Sequence, residues 1–208
     1  MEEGYPGKLK INIFYSLNDM NELKIKYTAK TNKPTFVNLT NHTYFNLKGS
    51  GDILNHKIQI HSDCYTVVDN EAIPTGEIRP VQNTEMDLRT PIEIGQNIKN
   101  VQGLGYDHNY CLGQISNKTN TAAEVIDPES GRILSCITNQ PGVQFYSGNF
   151  LNGIKGKQGA NYQKHAGFCL ETQHYPDSPN HPHFPSTELN PKKLYKHICT
   201  YRFSQVNK

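Results

Sequence analysis

Four polar side chains of this 208-residue chain stand inside apolar runs, where burial is costly. His42 interrupts TFVNLTNHTYFNL, Asp107 lies in GLGYDHNYCL just ahead of His108, Gln144 lies in PGVQFYSGN, and Glu171 follows Phe168, Cys169 and Leu170 in GFCLETQ. Buried carboxylates and imidazoles cost free energy unless they are paired, and such groups gather at functional sites. A carboxylate that meets a histidine is equipped for general acid–base work: a glutamate in an apolar setting accepts a proton at a raised pKa, and a nearby imidazolium donates one. The plainer reading is that each is an outward-facing strand residue or a satisfied core polar group. Pattern alone does not make the four converge. No nucleophile stands out beside them, since there is no G-x-S-x-G elbow and the cysteines sit within apolar strand stretches.

Two other motifs invite chemistry and carry less. His174, His181 and His183, with Asp177, crowd the segment HYPDSPNHPHFP, but the spacing matches no standard zinc site and the prolines make the run rigid. The glycines of NGIKGKQG lack the P-loop spacing and its Gly-Lys-Ser/Thr ending.

The elements that must position these side chains are strands. Leu9, Ile11, Ile13 and Tyr15 alternate on one face, as do Leu23, Ile25 and Tyr27, with turn residues Asn18 to Asn21 between, so the N-terminal region reads as a hairpin. Further strands are predicted over 35–41, 57–61, 65–68, 108–112, 122–126, 133–138, 143–147, 167–172 and 194–203. Pro74-Thr75-Gly76, Asp127 to Gly131 and the Pro-rich 176–185 read as punctuation. A helical turn is expected only near Ile92–Ile98. Many short strands separated by Gly/Pro turns mean a sandwich or barrel, and with no repeat or low-complexity linker the chain reads as one domain over 1–208.

Charge is nearly balanced, 21 Lys plus Arg against 19 Asp plus Glu, which argues against a nucleic-acid footprint. No apolar run approaches the roughly 20 residues that cross a bilayer. Five scattered cysteines without a C-x-x-C pair, behind an acidic N-terminus that is no secretory signal, predict reduced thiols in a cytoplasmic protein.

The segments EEGYPG, NLTNHTYFNL, IPTGEIRPV, GYDHNYCL, QPGVQFYSGNFL and KHAGFCLETQHYPDSPNHPHFP, in that order, strongly resemble the aldose 1-epimerase (galactose mutarotase) family. The resemblance implies an all-β fold, a large antiparallel β-sandwich whose concave face holds a free hexose. It implies interconversion of the α and β anomers of galactose or glucose by ring opening and reclosure, without metal or organic cofactor. By motif, Glu171 is the expected base and His42 the expected acid, while Asp107 and Gln144 hold sugar hydroxyls and Thr43 and Tyr44 line the site. The expected partner is a monosaccharide, with no nucleic acid or membrane, and the expected state is a monomer or weak homo-oligomer.

Family members are longer at the front. The resemblance places EEGYPG mid-chain in them, downstream of an Asn-Arg pair and a second active-site histidine that have no counterpart here. The expectation is therefore a C-terminal part of the family domain, with open sheet edges, bare apolar faces and a weakened pocket. A hexose-binding or relic protein without turnover is the alternative. A hexose-6-phosphate 1-epimerase would need a basic cluster for the phosphate, and the matched segments offer only Arg79 and Arg89.

Overall fold

The computed structural model describes residues 2–103, 105–113 and 118–206. Two antiparallel sheets dominate. The larger has seven strands, in the order Leu9–Leu17, Glu22–Thr31, Tyr195–Gln205, Arg132–Thr138, Asn120–Ile126, Lys57–Ile60 and Ile92–Glu93. The smaller has five, in the order Cys169–Gln173, Gly142–Tyr146, Asp107–Cys111, Cys64–Val68 and Pro74–Pro80. Ile25, Tyr27, Ile58, Ile60, Val125 and Leu134 of the first share one buried core with Tyr110, Val143, Phe145 and Leu170 of the second. This is the all-β sandwich that the alternation of apolar residues predicts.

Local chemistry explains the hairpin at the front. The Asn18 Oδ1 accepts from the amides of Met20 and Glu22 at 3.0 and 3.1 Å, and Asn21 takes a positive φ of 56° that asparagine tolerates. The first strand then lies at the edge of the larger sheet with every residue exposed. Leu9, Ile11, Ile13, Tyr15 and Leu17 oppose Thr31, Ala29, Tyr27, Ile25 and Leu23, so they continue the core face. They are nonetheless 37–75% exposed. The open edge and bare apolar row expected from the sequence are present here.

Two elements differ from expectation. The strand predicted over 35–41 is regular only at Thr35–Phe36, which pairs with Glu188–Leu189. Beyond it, side chains replace the backbone ladder: Asn38 Nδ2 donates to the His174 carbonyl and Asn38 Oδ1 accepts the His174 amide, at 3.0 and 2.9 Å. The Thr40 hydroxyl donates to the Thr172 carbonyl at 3.0 Å, and Phe45 and Phe168 exchange backbone bonds at 2.8 and 2.9 Å. The segment is thus sewn along the edge strand Cys169–Gln173, with His42 between its attachments. The second difference is at Pro74-Thr75-Gly76, which reads as a turn but begins the strand Pro74–Pro80 at the opposite edge of the smaller sheet. An edge tolerates proline because one side of the strand needs no ladder donor. The helical turn expected near 92–98 is present as Ile94–Asn97, followed by a 3-10 turn at Ile98–Asn100.

Candidate active site

Strand register brings the predicted residues together. In an antiparallel pair, directly opposed residues share a face. Gln144 opposes Glu171 on one side and Asn109 on the other, while Tyr146 opposes Cys169 and Asp107. Asp107, Gln144, Tyr146, Cys169 and Glu171 therefore stand on one face of the smaller sheet. Phe145 and Leu170, one residue out of phase, go into the core on the other.

His42 comes to this face from the sewn segment. Its Nε2 lies 3.4 Å from Glu171 Oε1, and its Nδ1 lies 3.3 Å from Cys169 Sγ. Tyr44 and Tyr146 flank the imidazole with ring centroids at 5.2 and 6.0 Å. Asp107 Oδ1 accepts a 2.8 Å bond from Gln144 Nε2. Thr43 is exposed, and its amide and hydroxyl both bond Asn41 Oδ1, at 3.2 and 2.6 Å. It shapes the turn that presents His42, and its hydrogen bonds go to Asn41 rather than to the cluster.

Burial sets the electrostatics. It pushes the Glu171 carboxyl up to about 7, with the His42 charge pulling it down and the Asp107 charge pushing it further up. Burial raises Asp107 as well, against the bond from Gln144 and the charge of His42. Tyr44 is raised to about 12, chiefly by burial. Glu171 is thus a carboxyl that exchanges its proton near neutrality, and the His42 side chain beside it is 52% exposed. Replacing Asp107 with Asn removes one of the charges that raise Glu171. The Glu171 carboxyl is then expected to titrate at lower pH, as read by carboxyl NMR of the variant, and an unmoved titration would separate Asp107 from Glu171.

The remaining candidates have other duties. His181 and His183 bond through Nε2 to the carbonyls of Pro74 and Gly76, at 3.0 and 2.7 Å, and hold the edge strand. His174 is buried, with Nδ1 2.9 Å from Gln140 Oε1. Among the described residues, the group of ligating atoms close enough to share a cation is His42, Cys169 and Glu171, within 4.8 Å of one another. These are the same side chains that meet in the acid–base cluster. Arg79 is paired with Glu77, and Arg89 with Asp87 and Asp63, so neither stands ready for a phosphate.

Cys169 and Tyr146 were not among the site residues expected from the sequence. Both were legible in principle, because Cys169 is two residues from Glu171 and Tyr146 two from Gln144. On a strand that spacing means the same face.

Fold and site define an all-β sandwich protein with a candidate acid–base centre on the outward face of its smaller sheet. The family model described as aldose 1-epimerase matches residues 1–202. Galactose mutarotase from Homo sapiens is 50% identical over 206 residues, covering 98% of this chain and 60% of that protein. Aldose 1-epimerase from Escherichia coli strain K12 is 37% identical over 211 residues, with 97% and 60% covered. Among solved structures, the GalM/aldose epimerase homologue from C. elegans superposes with a TM-score of 0.91 at 33% identity, over 99% of this chain and 63% of that one. Galactose 1-epimerase from Lactobacillus acidophilus NCFM gives 0.83 at 28% identity, over 98% and 59%. The chain belongs to the aldose 1-epimerase family. It spans about 60% of the length of the curated relatives it matches.

Proposed function

We propose that the protein interconverts the α and β anomers of a free hexose, galactose or glucose, with Glu171 as base and His42 as acid. The observation that supports this most is the 3.4 Å approach of the His42 Nε2 to the Glu171 Oε1 on the face that also carries Asp107 and Gln144. Glu171 takes the proton of the anomeric hydroxyl as His42 gives one to the ring oxygen. The bond between C1 and the ring oxygen breaks, leaving an open-chain aldehyde. The sugar turns about its C1–C2 bond, and the two transfers run backwards to close the other anomer. Both oxygens are bonded to the same carbon, so a donor and an acceptor only 3.4 Å apart suit the task. Sugar entry must break their mutual contact, and the half-exposed imidazole is the side chain free to turn.

Asp107 and Gln144, already bonded to each other, hold the sugar hydroxyls in this account, and the tyrosine rings of Tyr44 and Tyr146 give it an apolar surface. The five cysteines are free thiols, in keeping with a cytoplasmic setting. Among the described residues no helix is long and apolar enough to cross a membrane. The test is the optical rotation of freshly dissolved α-D-galactose with and without the protein. A folded sample should shorten the approach to equilibrium many-fold, and a decay no faster than buffer would sink the reading.

A further inference from the structure

Cys169 is buried at the site, and the reaction above gives it no role. It stands two residues before Glu171 on one strand, so both side chains leave the sheet on the same face. His42 reaches them from the neighbouring segment, with Nδ1 3.3 Å from Cys169 Sγ and Nε2 3.4 Å from Glu171 Oε1. A thiol, an imidazole and a carboxyl thus each offer one ligating atom within 4.8 Å of the other two. Asp107 adds a negative charge that acts on both Cys169 and Glu171. Among the described residues, the positive charge that acts on Glu171 is that of His42 itself.

We propose that His42, Cys169 and Glu171 form an inhibitory site for zinc or a similar thiophilic divalent cation, which shuts the acid–base centre while it is bound. The donor set selects the ion. Thiolate and imidazole suit zinc, whereas magnesium and calcium want oxygen ligands. Zinc bonds of about 2.0–2.3 Å set ligand atoms roughly 3.3–3.7 Å apart in a tetrahedron, so the widest separation here must close by about 1 Å. The half-exposed imidazole supplies that movement, because one ion takes one of its nitrogens and the ring turns to offer it. Three protein ligands leave the fourth position to water. Binding exchanges protons for the cation: Cys169 gives its thiol hydrogen to solvent, and Glu171 and His42 give up any proton on their ligating atoms. The carboxyl charges that keep the thiol protonated become an attraction once the incoming charge is doubly positive. Bound to metal, Glu171 no longer takes the anomeric proton, and the ion fills the space between acid and base that the two sugar oxygens need. Metal and sugar therefore exclude each other.

The inhibition rests on the acid–base reading, whereas the binding does not, so the first readout needs no sugar. Cobalt(II) added to the reduced full chain is the probe. A cobalt–thiolate charge-transfer band that saturates at one equivalent is expected, and zinc should abolish it. Cys169→Ala should lose the band, and Glu171→Gln should weaken cobalt binding by more than about tenfold. Cys64→Ser, at a thiol outside the site, should keep both band and affinity. Absence of the band in the parent, or its persistence in folded Cys169→Ala, would overturn the site. In the anomer-exchange assay, zinc should inhibit the parent, a chelator should reverse the inhibition, and galactose should raise the zinc concentration required. Cys169→Ala should need more than about tenfold more zinc for the same fractional inhibition. Inhibition that galactose does not relieve would place the ion elsewhere and overturn the proposal. Cobalt bound through Cys169 in a protein that never accelerates anomer exchange would support the metal site and count against the proposed reaction alone.

Discussion

Glu171→Gln is expected to slow anomer exchange by about three orders of magnitude while making the folded protein more stable at alkaline pH. The first effect follows from the chemistry: the amide matches the carboxylate in shape but accepts no proton, and general bases contribute about 10²–10⁴ to rate. The second follows from burial. A carboxyl raised from 4.5 to about 7 binds its proton more tightly in the folded chain than in the unfolded one. Stability from this group is therefore full below about 4.5 and is lost as pH rises through about 7. The amide carries no such penalty. The variant should gain about 1–3 kcal/mol over the parent at pH 8 and show no gain from this source near pH 4. Chemical denaturation at the two pH values measures it. A variant inactive and equally destabilised at both would mean that the substitution merely damages the fold.

His42→Asn should cost about 10²–10³ in kcat, since it removes the donor to the ring oxygen. It also removes the positive charge that pulls the Glu171 carboxyl down. Burial and Asp107 then act on Glu171 unopposed by that charge, so the residual activity should fall away at a higher pH than in the parent. This shift is opposite in sign to that expected for Asp107→Asn. The pair of Glu171 titrations, read by carboxyl NMR, separates an acid beside the base from a residue that only shapes the pocket. Identical titrations in the two variants would remove the electrostatic link between His42 and Glu171.

The sandwich was legible because its strands obey a period of two. Leu23, Ile25, Tyr27 and Ala29 point into the core while Lys24 and Lys26 point out, and no tertiary effect overrides that alternation. Phe145 flanked by Gln144 and Tyr146, and Leu170 flanked by Cys169 and Glu171, follow the same rule. It divides the core face from the site face. The path of the chain around His42 was not legible. Its apolar residues look like one strand, but Asn38 and Thr40 take over the backbone's hydrogen bonds with their side chains. Alternation carries no sign of such a substitution. Pro74–Pro80 was hidden for a related reason: proline and glycine signal a turn, and only the strand's place at an edge makes them acceptable. Roles at the site came through resemblance by motif, whereas the meeting of His42 with Glu171 depends on contacts 127 to 136 residues apart in the chain. The thiol of Cys169 reads as a small apolar residue until the ring it touches is in view.

The two principal side chains are held to act on one sugar, and the double variant Glu171→Gln with His42→Asn tests that most directly. Groups that act as a unit do not lose rate independently, because removing the first leaves little for the second to do. Anomer exchange by NMR magnetisation transfer on galactose should show the double variant within about tenfold of Glu171→Gln alone. If the two losses instead multiply in full, His42 and Glu171 work on separate steps or separate sites, and the shared acid–base centre is wrong.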